Sequence, residues 1–199
     1  MFFLEQAMRG PNLLLFLILI AGAVVFFGIS LYNKLVKRRN HVEDGWSGID
    51  VQLKRRHDLI PNIVNVVKKY AEHEQETLEK VINLRNAAQA SKSNSSHTPG
   101  KQGQDEQKLS HALSGLMVQV EAYPDLKANS NFLDLQKQLQ KIEDDIQYAR
   151  RYYNGAVREY NTTVQSFPSN MIANKYDFRE AEFFELENPQ HAENPEVKF

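Results

Sequence analysis

No cysteine occurs among the 199 residues. A disulfide framework, a thiolate nucleophile and a zinc–thiolate site are therefore excluded. Charge of one sign is lacking too. Lys and Arg number 24, Asp and Glu 25, and the formal net charge is −1. A nucleic-acid binder usually shows a basic face, so no nucleic acid is expected as a partner. Strand signals are absent.

Catalytic spacings are also missing. His73-Glu74 opens a zincin motif, but position 77 is Thr where the second histidine ligand belongs. No Glu-x-x-His pair of a di-iron bundle exists. Gly100-Lys101 lacks the upstream glycine and the Ser or Thr of a phosphate loop. Gly45-Trp46-Ser47-Gly48 is too short for a nucleophile elbow. No catalytic residue, metal site or cofactor is expected, and the chain is read as a non-enzyme.

What is present begins with Leu13 to Leu31, 19 residues without a charge, of which 14 are Leu, Ile, Phe or Val. At roughly −0.3 to −0.6 kcal/mol each, these favour membrane insertion by about 4–8 kcal/mol. The run spans roughly 28 Å as a helix, close to the hydrocarbon thickness of a bilayer. Leu13, Leu17, Val24, Phe27 and Leu31 mark the anchor. Ala21-Gly22-Ala23 has the form of a cleavage site, but eight apolar or small residues follow without a polar break. An uncleaved transmembrane helix is the preferred reading over a signal peptide. Arg9 stands alone before the run, and Lys34, Lys37, Arg38 and Arg39 follow it. Cations stay on the cytoplasmic side, so residues 1–12 are expected outside the cytoplasm and the remainder inside it. The mean hydropathy of −0.52 means that this remainder is very polar.

Residues 32–45 read as a basic juxtamembrane segment and 46–199 as a helical bundle. A helix is expected from Trp46 to about Ala90, its apolar residues at three-and-four spacing. Pro61 should kink it near Asp58. Gly45 and Gly48 should weaken its join to the membrane helix. Residues 91–104 contain no apolar residue and read as a flexible loop between helices. Leu109, Leu113, Leu116, Val120 and Tyr123 mark a short helix closed by Pro124. The next helix carries the clearest repeat. Phe132, Leu139, Ile146, Tyr153, Tyr160 and Phe167 recur every seven residues, with Leu135, Ile142, Ala149, Ala156 and Thr163 interleaved. This is a seam for a long antiparallel or coiled-coil contact. Asn131 is the expected N-cap and Pro168 the stop. A shorter amphipathic piece is expected over Met171 to Phe184. The class is all-α: a transmembrane helix followed by an elongated antiparallel helical bundle.

Three polar clusters remain. Lys54-Arg55-Arg56-His57-Asp58 points all round a helix, with Arg56 and His57 near its apolar face. Arg55, Arg56, His57 and Asp58 are candidates for binding an acidic partner. The favoured reading is a buried ion-pair layer, with Asp50 or Asp58 as partner, or plain helix surface. The pairs Tyr153-Asn154 and Tyr160-Asn161 repeat at seven residues, and the asparagines can supply register beside tyrosines that need hydrogen-bond partners. Ala122-Tyr123-Pro124-Asp125-Leu126-Lys127 reads as a structural turn.

At these residues the chain resembles the bacterial LemA family. The matching stretches are Trp46-Ser47, Ile49 through Asn62, Tyr70-Ala71 with His73-Glu74, Thr77-Leu78-Glu79, Ala122 through Lys127, Leu135-Gln136, the two Tyr-Asn pairs and Phe167-Pro168-Ser169-Asn170. Gly45 departs from the alanine usual there. The resemblance implies a single-pass membrane protein with a cytoplasmic antiparallel bundle and no established enzymatic chemistry. One relative is implicated in shaping magnetosome membranes, and others are encoded beside membrane metallopeptidases. The expected function is a membrane-anchored scaffold that forms homo-oligomers and organises or shapes the bacterial inner membrane. The alternative is an adaptor or regulator of a membrane metalloprotease or signalling partner. The lipid bilayer is the expected partner in both.

Overall fold

The computed structural model describes residues 2–91 and 98–184, and every described regular element is helical. The elements are α1 (Phe2–Val67), a 3₁₀ turn (Glu72–Glu74), α2 (Gln75–Ser91), α3 (Pro99–Val120), α4 (Pro124–Lys127), α5 (Ser130–Gln165) and α6 (Ser169–Lys175). The chain divides into two compact units. One comprises Met1–Val42 with Arg158–Ala181, the other Glu43–Val157 with Glu182–Phe199.

In the second unit, four helical stretches run up, down, up and down. The chain leaves α1 at Val67, and α2 returns beside it so that Arg85 reaches the carbonyl of His57. From α3, Ser110 meets Arg56 of α1, and Glu143 of α5 meets the same arginine. The core between them includes Ile60, Ile63, Val81, Leu109, Leu116 and Phe132.

Several sequence expectations are corrected. The helix expected to reach Ala90 ends at Val67. Val67, Ala71 and Leu78 are all buried and keep helical phase, so the apolar pattern runs through the break without marking it. Exposed Lys68, Lys69 and Tyr70 form the turn, closed by bonds from Lys69 N to Val66 O and Tyr70 N to Val67 O. Neither Pro61 nor Gly45 and Gly48 interrupts α1. Gly45 instead admits α5: a Cβ there would lie 3.1 Å from the Tyr153 Cα.

The loop expected over 91–104 is shorter. Ser91 closes α2 and Pro99 opens α3, while 92–97 lie outside the described residues. Thr98 caps α3, its Oγ1 accepting from Lys101 N, with Pro99 in the first turn. This Thr-Pro pair was the sequence signal for the helix start. Gln102 and Glu106 are buried, so polar side chains do the packing that an apolar pattern would have revealed.

On α5 the N-cap is Asn129, whose Oδ1 accepts from Phe132 N, rather than Asn131. The seven-residue seam is buried from Phe132 through Tyr160, but Phe167 lies beyond the helix and is exposed. The interleaved row also changes. Ala149 and Ala156 are only partly buried, while Val157 and Val164 are buried. The row is partly buried from Leu135 to Ala156, and its last member, Thr163, is buried.

The first unit pairs the end of α5 and α6 with α1. The piece expected over Met171 to Phe184 is helical only as far as Lys175, and its helix, α6, starts earlier, at Ser169; Asp177 then turns the chain at φ 56°. The Phe178 N–H donates to the Ala173 carbonyl, a Schellman closure with Asp177 in the position glycine favours. Beyond it, residues 178–184 are non-helical.

Candidate functional site

The most apolar part of α1 has a mean hydropathy of 2.6 over its best window, and none of that window is buried against protein. Leu17, Val24 and Phe27 are all more than half exposed, and Leu31 is half-buried. The side chain of Leu13 lies outside the described residues. Among the basic residues that follow, Lys34, Lys37 and Arg39 are exposed. Arg38 Nη1 pairs with Glu159 of α5, and the Arg39 guanidinium lies 5.6 Å from the Phe178 ring centroid. The cations expected as topology signals are thus divided between solvent and the α5–α6 side of this unit.

The four-residue cluster on α1 separates by helical geometry. Arg55 and Asp58 are exposed, and Arg55 Nη1 reaches Gln52 Oε1 at 3.5 Å. Arg56 and His57 are buried at 1% and 7% exposure, which removes both from the surface where an outside acidic partner could meet them. The carboxylates that meet them are Glu106 and Glu143, from two other helices, whereas the expected Asp50 and Asp58 stand on α1 itself, with Asp58 exposed. Arg56 Nη2 bonds Glu106, and Nη1 donates to Glu143 Oε1 at 2.8 Å and to Ser110 Oγ at 2.7 Å. His57 Nε2 lies 2.9 Å from Glu106 Oε1. Burial alone would raise the Glu106 pKa; the contact with His57 and the Arg56 charge outweigh it and hold the carboxyl below its ordinary value. Burial would likewise lower Arg56, but the two glutamates hold it above its ordinary value. Such a layer costs desolvation, offset here by contacts that join three helices. Glu106 and Glu143 could not be assigned from sequence, because each looks like an ordinary helix-surface acid.

The two Tyr-Asn pairs have a shared task. In the second unit, Asn154 Oδ1 accepts from Phe184 N at 3.0 Å and its Nδ2 donates to Phe184 O at 3.2 Å. Tyr153 Oη donates to Glu182 O at 2.7 Å, and the Phe184 ring packs against Trp46. Burial, and secondarily the Glu182 carboxylate, pushes the Tyr153 phenol up to about 12, so it remains a donor. In the first unit, Asn161 makes the same double contact with Ala181, at 2.8 and 2.9 Å. Each carboxamide imitates a neighbouring β-strand and satisfies backbone that has no helix of its own. The sequence repeat disclosed the pairs but not the segment they hold.

No group of three or more metal-ligating side chains occurs among the described residues. Taken together, an unburied apolar helix continuous with a packed bundle defines a membrane-associated helical protein. The chain belongs to the LemA family, which it matches over residues 45–199. It is 27% identical to Protein LemA of Metamycoplasma hominis over 172 residues, covering 86% of this chain and 77% of that one. It is 26% identical to Magnetosome protein MamQ 2 of Paramagnetospirillum magneticum, covering 89% and 74%. Magnetosome protein MamQ of Magnetospirillum gryphiswaldense is 24% identical, at 88% and 73% coverage.

Proposed function

We propose that this protein is a non-enzymatic, single-pass scaffold of the bacterial inner membrane that self-associates and organises or shapes the bilayer. The observation that carries the reading is the continuity of α1. One helix contains both the unburied apolar window and Ile49, Leu53, Ile60 and Ile63 of the bundle interior. The relatives named as magnetosome proteins support the same reading. The cation bias across the apolar run orients the bundle toward the cytoplasm. Anchoring raises the effective concentration of bundles in the membrane plane without adding a contact, which favours weak self-association.

The test is electron cryo-microscopy of vesicles reconstituted with the full-length chain at rising protein-to-lipid ratio. Clustered protein and altered vesicle curvature are expected. Dispersed protein on unaltered spheres, together with a one-to-one complex with a membrane protease, would favour the adaptor reading instead.

A further inference from the structure

The first unit carries an apolar surface that its own residues leave open. Phe167 is 80% exposed, Met171 63% and Tyr176 55%, all on or beside α6. Isolated exposed apolar residues are ordinary, but Tyr176 also lines a larger feature. A cleft of about 380 Å³ between α1 and α6 is lined by Val25, Gly28, Ile29, Tyr32, Ile172 and Tyr176. The α1 residues of that cleft belong to the apolar run or border it. Val25 lies six residues before the end of the run at Leu31, or roughly 9 Å along a helix. Tyr32, at the boundary, stacks edge-on against Tyr176 with centroids 5.0 Å apart.

We propose that α6 and the Phe167 turn form an interfacial wedge that enters the same leaflet the α1 span crosses at its C-terminal end. The occupant of the open surface is lipid, at the boundary between headgroups and acyl chains. The reading rests on the membrane-anchored assignment above. Three observations on the page select lipid. Ile172 and Tyr176 share the cleft with helix residues that must themselves face acyl chains if the span is inserted. Its composition is that of an interface, with aromatic rings and a methionine beside Lys175, whose ammonium lies 5.7 Å from the Tyr176 ring and can snorkel to headgroups. The inner side of α6 is already used, with Ala173 buried and Ile172 half-buried, so its outer side is the one left for a partner. A short amphipathic element in one leaflet, fixed beside a span, displaces headgroups on that side alone. This supplies the asymmetry that shaping a membrane requires.

The absence of cysteine makes the test direct. Single Phe167→Cys, Met171→Cys, Val24→Cys and Arg158→Cys variants of the full-length chain are labelled with an environment-sensitive fluorophore. Each is reconstituted in phosphatidylcholine–phosphatidylglycerol vesicles. Labels at 167 and 171 should be quenched several-fold more strongly by lipids brominated near the headgroup than the label at Arg158, two turns earlier on α5. They should also be shielded from aqueous iodide. Iodide access at 167 and 171 equal to that at 158 would overturn the wedge, and so would shielding without bromolipid quenching, which would mean that protein covers the surface. The Val24 label separates the two claims. Bromolipid quenching at Val24 with aqueous labels at 167 and 171 refutes the wedge alone, whereas an aqueous Val24 refutes the anchor as well.

Discussion

Arg85 donates its Nε–H to the His57 carbonyl at 3.0 Å. That carbonyl is four residues before Pro61, whose ring nitrogen has no hydrogen to give it. A side chain from α2 therefore replaces the helical bond that proline removes from α1. The same contact ties α2 to α1 in the antiparallel pair. Arg85→Met should destabilise the second unit by about 1–3 kcal/mol, since it leaves a half-buried carbonyl unpaired. Pro61→Ala in that background should recover much of the loss by restoring the backbone N–H. Thermal melts of the four variants in detergent check this. Additive effects of the two substitutions would show that the carbonyl does not couple them.

The charge layer predicts a pH dependence. Glu106 is held below its ordinary value of 4.5 in the folded chain. The unfolded chain then binds more protons than the folded one as the pH falls below that value. The stabilisation is fully present above about pH 4.5 and is lost as the pH drops through the folded-state value. Glu106→Gln should cost roughly 3–5 kcal/mol at neutral pH, because Arg56 loses a buried carboxylate. It should also flatten the acid limb of a stability–pH profile measured by urea titration. An acid limb as steep as that of the parent would place the titrating group elsewhere.

Asn154 works with both halves of its carboxamide. Asn154→Asp keeps the acceptor for Phe184 N but replaces the donor to Phe184 O with an oxygen. A loss of about 1–3 kcal/mol is expected from that opposed carbonyl. Hydrogen exchange at the Phe184 amide should accelerate, while exchange in the α2–α3 core stays unchanged. Equal acceleration in both places would mean that the segment is part of the cooperative core.

The α5 seam can be checked by neighbouring substitutions. Ile146 is buried and Gln147 exposed. Ile146→Asp should destabilise by several kcal/mol through an unpaired buried carboxylate. Gln147→Asp should be nearly neutral, since it keeps an acceptor for Arg150 Nη2, which now donates to Gln147 Oε1. Identical melting of the two variants would contradict the assigned face.

The helices and the seam were legible because each follows from apolar spacing. The break after Val67 was not, because Val67 and Ala71 stay in phase across it. The beginning of α3 was hidden by its buried polar residues, although Thr98-Pro99 announced it. Arg56 and His57 could be placed near an apolar face from their spacing. Their partners could not, since contacts with Glu106 and Glu143 depend on how three helices associate. The segment held by Asn154 and Asn161 left no periodic trace, because extended chain bound by carboxamides needs no side-chain pattern of its own. Tyr176 read as part of an amphipathic helix until the structure placed it beside Val25 and Ile29 of the apolar run.

The number of copies per assembly in reconstituted lipid vesicles tests the scaffold most directly, counted by stepwise photobleaching of the labelled full-length chain beside a version whose residues 13–31 are exchanged for an unrelated leucine-rich helix. The span has no small-xxx-small face, since Gly22 meets Phe26 four residues on, so close dimerisation within the bilayer is not indicated. Self-association by the bundle and by crowding at the membrane surface predicts assemblies of many copies in both versions. A monomer in both, or assemblies that disperse when the span is exchanged while insertion remains normal, would contradict the account.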